Sequence, residues 1–174
     1  CLEDDYIIWH DVAIGPRARQ PDFVILSPRW GVLLLEVKDW KRATLASATR
    51  DAVELNTPGG RLTQAHPLRQ ARDYALELVD VMRRDAMLVH GEGPFRGKLL
   101  CPYGWGVVFS SLAAADVAGS DFAELFPKHQ VLRRDLEPVR EVAQRLAGLH
   151  DHPVAFDAQE IGASGRSGRD GSRS

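Results

Sequence analysis

Three charged residues near the start of the chain could together hydrolyse a phosphodiester bond: Asp22, Glu36 and Lys38. Two neighbouring carboxylates can hold a divalent cation through oxygen ligands, which favour Mg²⁺ or Mn²⁺ over zinc. A lysine beside such a pair can orient or deprotonate the attacking water, and it can neutralise charge that grows on the phosphate. These residues are therefore candidates for a metal-dependent hydrolytic site, provided that the fold brings them together.

A β-hairpin would bring these side chains together. Two runs rich in Val, Ile, Leu and Phe, residues 22–26 and 32–38, flank a turn-forming segment over residues 27–31. If the turn is centred on Arg29, Asp22 lies opposite Glu36 with their Cβ atoms roughly 4.5 to 5.5 Å apart. Side chains alternate between the faces of a strand, so Lys38 shares the face of Glu36. A register shifted by one residue would move Asp22 to the opposite face.

Two carboxylates held so close would repel each other. Unit charges about 4 Å apart cost on the order of 4 kcal/mol at an effective dielectric constant of 20, so one acid would keep its proton unless a cation lies between them. A divalent ion removes this conflict. The alternative is a strand that ends in surface charges, with Glu36 and Lys38 paired only with each other or with solvent, but the acid at the matching position upstream favours the metal site.

These residues carry a family resemblance. The stretch PDFVILSPRWGVLLLEVKDW resembles the nuclease-related domain (NERD) family of the PD-(D/E)xK, or restriction-endonuclease-like, superfamily. The downstream stretch HPLRQARDYALEL is similar to the next motif of that family, in which a helix bears a glutamine facing the site, here Gln70. The resemblance covers residues 5–110.

The resemblance implies an α/β fold with a mixed β-sheet core flanked by helices. It also implies Mg²⁺-dependent (or Mn²⁺-dependent) cleavage of DNA, with Asp22 and Glu36 as metal ligands and the backbone carbonyl of Val37 completing the inner shell. Lys38 would then orient or deprotonate the water, and Gln70 would position the substrate. Domains of this family are often fused ahead of a superfamily I helicase, which makes such a helicase an expected partner.

Two basic clusters are candidates for contact with the substrate. Trp40, Lys41 and Arg42 follow the site strand, where they could grip phosphate and stack on a base. The alternative for this cluster is a strand end with Trp40 packed on the flank of the sheet. Arg69 and Arg72 flank Gln70 on the predicted helix and could meet the DNA backbone, although a solvated helix face would look the same.

Length and composition suit one domain, predicted over residues 1–150, with a flexible tail rich in Gly, Ser and Arg over residues 151–174. The net charge of -2 gives no overall basic surface, so contact with nucleic acid must be local. Two cysteines are too few for a disulfide framework or a zinc site, and the sequence shows neither a signal peptide nor a long apolar run, so we expect a cytoplasmic protein without membrane contact. Because the chain begins at Cys1, we expect a fragment that lacks its true N-terminus.

Periodicity and turn residues predict the remaining elements. The predicted strands are 6–12, 52–55, 98–101, 106–109 and 130–132, with a loop over 56–65. The predicted helices are 66–88, 112–118, 121–126 and 136–149. The first strand is expected to pair with the strand that begins at Asp22.

A second function class stays open, namely a non-catalytic DNA-binding or docking module on the same fold. A pure binding module has no use for paired acids that repel phosphate, which favours the nuclease. The possible loss of an acidic residue from the N-terminus favours the binding module. Cleavage of RNA also stays open, since no element that reads the ribose is visible, and the sequence does not decide between single and double strands or between endonuclease and exonuclease.

Overall fold

The computed structural model describes residues 6–135. Within this range the strands are β1 Ile7–His10, β2 Phe23–Ser27, β3 Gly31–Lys38, β4 Leu45–Ala48, β5 Ala52–Thr57, β6 Gly60–Ala65, β7 Tyr103–Phe109 and β8 Val131–Arg133. The α-helices are α1 Pro67–Met82, α2 Ala114–Val117 and α3 Phe122–Leu125, with short 3-10 helices at Arg42–Thr44 and Ala86–Leu88.

The main sheet has five strands in the order β1-β2-β3-β7-β8. Strands β1, β2 and β3 pair antiparallel, whereas β7 runs parallel to both β3 and β8. This mixed sheet with helices on it is the α/β restriction-endonuclease-like fold that the sequence predicts. The predicted first strand and the predicted edge strand near residue 131 are both confirmed, each with slightly different bounds.

The hairpin of β2 and β3 has the predicted register, with Phe23 paired with Leu35 and Ser27 paired with Gly31. Gly31 closes the turn with a φ of 78°, which favours glycine. A Cβ atom at this position would lie 2.0 Å from the backbone oxygen of Pro102, so a side chain would push β7 away from β3. The close approach of β7 therefore depends on this glycine.

Helix α1 covers one face of the main sheet. Its first turn has Pro67, whose fixed φ suits this position, and the His66 side chain caps it by accepting a hydrogen bond from the Leu68 amide. The apolar stripe of the helix packs on the even-numbered side chains of β2 and β3; this cluster contains Val24, Val32, Leu34 and Ala75. Glu36 follows Leu34 with the same parity, so its side chain lies on the face that α1 covers.

The second sheet is an antiparallel meander of β4, β5 and β6 inserted between β3 and α1. Val53 and Leu55 of β5 are buried in a core cluster with Trp40 and Phe109. By contrast, all six residues of β6 are exposed. The meander therefore attaches to the core through β5, and β6 forms its outer edge.

Three predictions of secondary structure are wrong. The predicted loop over residues 56–65 contains β6, which the sequence hides because an exposed strand shows no alternation of apolar and polar residues. The predicted helix over 66–88 stops at Met82, and Asp85 caps a separate 3-10 helix. The predicted strand over 98–101 is only a bridge between Val89 and Leu99, because the next strand starts after Pro102.

The predicted helix over 136–149 and the predicted tail over 151–174 lie outside the described residues. Within residues 6–135 no helix is both long enough and apolar enough to span a membrane.

Candidate active site

Glu36 is the centre of the candidate site. It lies near the carboxyl end of β3 under α1, and only 4% of its surface is exposed. Its Oε1 atom accepts hydrogen bonds from Lys38 Nζ at 2.6 Å and from Gln70 Nε2 at 2.7 Å. Its Oε2 atom is buried without a hydrogen-bond partner among the described residues. One oxygen is thus held by protein donors, and no described protein group satisfies the other.

Asp22 lies next to Glu36, immediately before β2. Continuing the hairpin register by one residue places it opposite Glu36 and on the face of Val24, as the sequence predicts. The Asp22 Oδ2 atom accepts a hydrogen bond from the Val37 amide at 2.6 Å, which fixes the carboxylate across the two strands. Among the predicted site residues, the structure therefore brings Asp22, Glu36, Val37, Lys38 and Gln70 together.

The surroundings of Glu36 raise its pKa above the ordinary value for a glutamate. Burial is the main cause, since it penalises the charged form. The hydrogen bond and the positive charge of Lys38 oppose this shift, whereas the negative charge of Asp22 adds to it. Repulsion between the two acids, which the sequence predicts, is therefore present but is smaller than the effect of burial.

Gln70 reaches Glu36 from the first turns of α1. Its side-chain nitrogen also donates to the Tyr74 hydroxyl at 2.9 Å, one helical turn further along. Tyr74 thus helps to fix the amide that contacts Glu36. Tyr74 is not among the residues predicted from the sequence, although its position four residues after Gln70 is a signal that could have indicated it.

The basic cluster after β3 divides into a buried part and an exposed part. Trp40 is 7% exposed, and its indole packs against Phe109 at 5.7 Å between ring centroids. Trp40 is therefore packed on the flank of the sheet, which is the alternative to stacking on a base. Lys41 and Arg42 are exposed. The Arg42 guanidinium lies over the Phe122 ring and donates to the Leu45 carbonyl. Of this cluster, Lys41 is the residue most accessible to a phosphate.

Arg69 and Arg72 are exposed on α1, but acids already contact both of them. Arg69 bonds to Asp51 at 2.8 Å and lies 4.0 Å from Asp73, and Arg72 bonds to Asp73 at 3.2 Å. Their charges are therefore partly compensated. Exposed ion pairs of this kind contribute only about 0 to 1 kcal/mol, so a phosphate could displace them.

A further carboxylate that the sequence analysis missed lies at the end of β3. Asp39 accepts hydrogen bonds from the hydroxyl groups of Ser110 and Ser111, which follow β7. These bonds lower the pKa of Asp39 below its usual range. Ser110 is next to Asp39 because β3 and β7 pair in parallel up to Lys38 and Phe109. No sequence pattern reveals this contact, since it depends on strand pairing over 71 residues.

The residues present fit a hard divalent cation. A buried carboxylate oxygen without a partner, beside a second carboxylate, is the kind of donor set that Mg²⁺ prefers. Residues 6–135 contain no cluster of three or more His, Cys, Asp or Glu side chains arranged to hold a metal. Mg²⁺ usually takes only one or two carboxylates, together with water and substrate phosphate, so two acids are sufficient.

The fold and the site define a class, the restriction-endonuclease-like α/β domains with paired acids and a lysine on neighbouring strands. A family model described as the nuclease-related domain, NERD, matches residues 1–96 of the 174. The chain therefore belongs to the nuclease-related domain family. A search of curated proteins and a search of solved structures found no match.

Proposed function

We propose that this domain hydrolyses DNA phosphodiester bonds with Mg²⁺, or with Mn²⁺ in its place. The observation that carries the proposal is the state of the Glu36 carboxylate, whose Oε1 is held by Lys38 and Gln70 while Oε2 is buried and unpartnered beside Asp22. A buried charged oxygen without a partner is costly, and a cation is the ligand that best offsets this cost.

Asp22, Glu36 and the Val37 carbonyl are the proposed ligands. Because the Asp22 Oδ2 atom is occupied by the Val37 amide, its Oδ1 atom is the one left for a cation. In a β-strand the N–H and C=O of one residue face the same neighbouring strand, so the Val37 carbonyl lies on the side of Asp22. When bound, Mg²⁺ would polarise the phosphate and lower the pKa of a coordinated water.

Lys38 is the proposed water-orienting or general-base residue. Its Nζ atom lies 2.6 Å from Glu36 Oε1, and 18% of its side chain is exposed. It can therefore contact the carboxylate and solvent at the same time. The Lys38 amine would hold or deprotonate the attacking water, and the ammonium form would stabilise charge on the phosphate.

Gln70 is the proposed positioning residue. Its amide nitrogen fixes Glu36 Oε1 and is itself fixed by Tyr74, so the unpartnered Oε2 keeps one orientation. Lys41 and Arg42, at the exit of β3, and Arg69 and Arg72, on α1, would bind the backbone of the substrate. A superfamily I helicase, fused or associated, is the proposed partner, because related domains often act as modules of such proteins.

The test is cleavage of circular single-stranded DNA and linear double-stranded DNA in Mg²⁺ and in Mn²⁺. We expect Asp22→Asn, Glu36→Gln and Lys38→Met each to lower the rate by about 10²-fold or more, as loss of a positioned acid-base or charge-stabilising group does. Glu54→Gln and Lys98→Met are matched controls that should cut at the wild-type rate, since Glu54 lies on β5 and pairs with Arg61, and Lys98 precedes β7 and contacts the Phe95 ring. If wild type cuts neither substrate with either metal, the proposal fails.

A non-catalytic DNA-binding or docking module is the second candidate. The exposed basic residues Lys41 and Arg42 at the end of β3 would serve it as well as they serve a nuclease. This candidate predicts binding to DNA that weakens with salt, without cleavage in Mg²⁺ or Mn²⁺.

A further inference from the structure

The loop between β1 and β2, residues 11–22, lies at the same end of the main sheet as the site. It starts where β1 ends at His10 and leads directly into Asp22. The Asp11 amide donates to the Asp22 carbonyl at 3.3 Å, which closes the base of the loop beside the site. The residues that this loop presents to solvent therefore lie at the end of the main sheet that contains Asp22 and Glu36.

The middle of this loop is a tight turn with strained backbone. Ile14 and Arg19 form two backbone hydrogen bonds, at 2.7 and 3.0 Å, and the Ile14 side chain is buried. Ala18 has a φ of 47°, in a region that alanine rarely adopts. A non-glycine residue keeps such a conformation only where the surrounding contacts impose it. The turn is thus held in one conformation.

The Glu77 side chain of α1 holds this turn through two hydrogen bonds. Its Oε1 accepts a hydrogen bond from the Arg17 amide at 3.3 Å, and its Oε2 accepts one from Arg19 Nε at 3.2 Å. Gly15 makes this approach possible, since a Cβ atom there would lie 2.4 Å from Glu77 Oε1. The Glu77 side chain is only 13% exposed, and every contact described for it is to this turn.

The turn is connected to the site through side chains. The Arg19 guanidinium lies 5.5 Å from the centre of the Tyr74 ring, and the Tyr74 hydroxyl accepts a hydrogen bond from Gln70. Gln70 in turn contacts Glu36. In contrast to Arg19, the exposed Arg17 side chain makes no hydrogen bond or ion pair within residues 6–135.

We propose that this turn is a substrate clamp, in which Glu77 and Arg19 hold the backbone and Arg17 binds a phosphate of the nucleic-acid strand being cut. The proposal rests on the proposed nuclease function. Glu77 lies seven residues after Gln70, which is about 10 Å along the helix axis. If the nucleic-acid strand follows α1 from Gln70, its rise of about 3.4 Å per nucleotide would place at Arg17 a phosphate roughly three nucleotides from the cleaved bond.

The test measures binding without cleavage, with a fluorescent single-stranded and a fluorescent double-stranded oligonucleotide in EDTA over a range of salt concentrations. Loss of one phosphate contact lowers the slope of log affinity against log salt by about 0.7 for single strands and about 0.9 for B-DNA. We expect this decrease for Arg17→Ala. Arg17→Lys, which keeps the charge, should retain the wild-type slope.

Arg84→Ala is the matched control. Arg84 is also exposed and makes no side-chain hydrogen bond or ion pair in the described part of the chain, but it follows the end of α1 that is distant from Gln70. Its removal should leave the slope unchanged. Gly15→Ala adds a second test, because it displaces Glu77 without changing any charge and should lower the slope as Arg17→Ala does.

The outcomes separate this inference from the function on which it rests. If wild type binds and cuts DNA while Arg17→Ala has the same salt slope as Arg84→Ala, the clamp is refuted and the nuclease proposal stands. If wild type neither binds nor cuts, both proposals fail. A decrease in slope for Arg17→Ala and for Gly15→Ala, with the wild-type slope in Arg84→Ala, supports the clamp.

Discussion

Glu36 and His66 are both almost fully buried, and each has one side-chain atom without a hydrogen-bond partner in the described residues, Oε2 and Nε2. Both residues are connected to the start of α1, because His66 caps this helix and Gln70, four residues later, contacts Glu36. Their surroundings nevertheless differ. Glu36 is beside Lys38, Gln70 and Asp22, whereas the His66 ring stacks on Phe126 at 4.7 Å in the core.

This difference distinguishes a site from a structural residue. The unpartnered atom of Glu36 belongs to a group of charged and polar side chains that reaches solvent through Lys38. The unpartnered atom of His66 belongs to a ring that stacks on Phe126 and has the Leu125 backbone as its polar neighbour, while its Nδ1 atom accepts a hydrogen bond from the Leu68 amide as a helix cap. An unsatisfied buried atom is therefore informative only together with the polarity of its neighbours.

The largest expected effect on stability separates these two residues. His66→Ala removes the cap and a stacked ring, and we expect it to lower the free energy of unfolding by about 2 to 4 kcal/mol. Glu36→Gln should leave stability unchanged or raise it, since the amide oxygen still accepts from Lys38 and a buried charge is removed. Chemical denaturation at neutral pH measures both variants.

His66→Asn is the control for the cap, because asparagine can accept the Leu68 hydrogen bond and should recover about 1 kcal/mol relative to alanine. A loss of stability in Glu36→Gln as large as that in His66→Ala would contradict the comparison. It would mean that the pair of Glu36 and Lys38 is a structural salt bridge, the alternative that the sequence left open.

Metal binding gives the next largest effect. A ligand that binds only the native state stabilises it by about 2.7 kcal/mol at a hundred times its dissociation constant. We expect Mg²⁺ or Mn²⁺ to raise the melting temperature of wild type and of His66→Asn, and to leave that of Asp22→Asn unchanged. An equal increase in Asp22→Asn would show that the cation binds elsewhere, and this readout does not depend on cleavage.

The sequence predicted most of what a hairpin determines. The register of β2 and β3 follows from a single turn, so the placement of Asp22 opposite Glu36 could be inferred from spacing alone. The orientation of Gln70 came from the family resemblance. The structure adds the contact between Glu36 and Gln70, which lie 34 residues apart.

The sequence could not predict contacts that depend on how distant elements pack. Asp39 meets the serines after β7, and Glu77 meets the loop before β2, across about 60 to 70 residues in each case. The exposed strand β6 was missed for a different reason. A strand without a buried face lacks the alternation on which sequence analysis relies.

The smallest expected effect is the pH dependence of stability, which should have opposite signs for the two residues. Burial raises the pKa of Glu36, so its contribution to stability is present below the unfolded-state pKa of about 4.3 and is lost as pH rises through the higher folded-state pKa. Burial lowers the pKa of His66, so its contribution is present above about 6.5 and is lost as pH falls toward the lower folded-state pKa.

Two differences in stability measure these signs. The stability of Glu36→Gln relative to wild type should increase as pH rises from about 4 toward neutrality. The increase should be roughly 1.4 kcal/mol for each tenfold difference in proton affinity between the folded and unfolded states of wild type. The stability of His66→Asn relative to wild type should increase as pH falls below about 6.5, because the variant has no imidazole to protonate. Melting temperatures between pH 4 and 8 test both trends. If the stabilities of the two variants relative to wild type changed in the same direction with pH, the opposite pKa shifts of Glu36 and His66 would be contradicted.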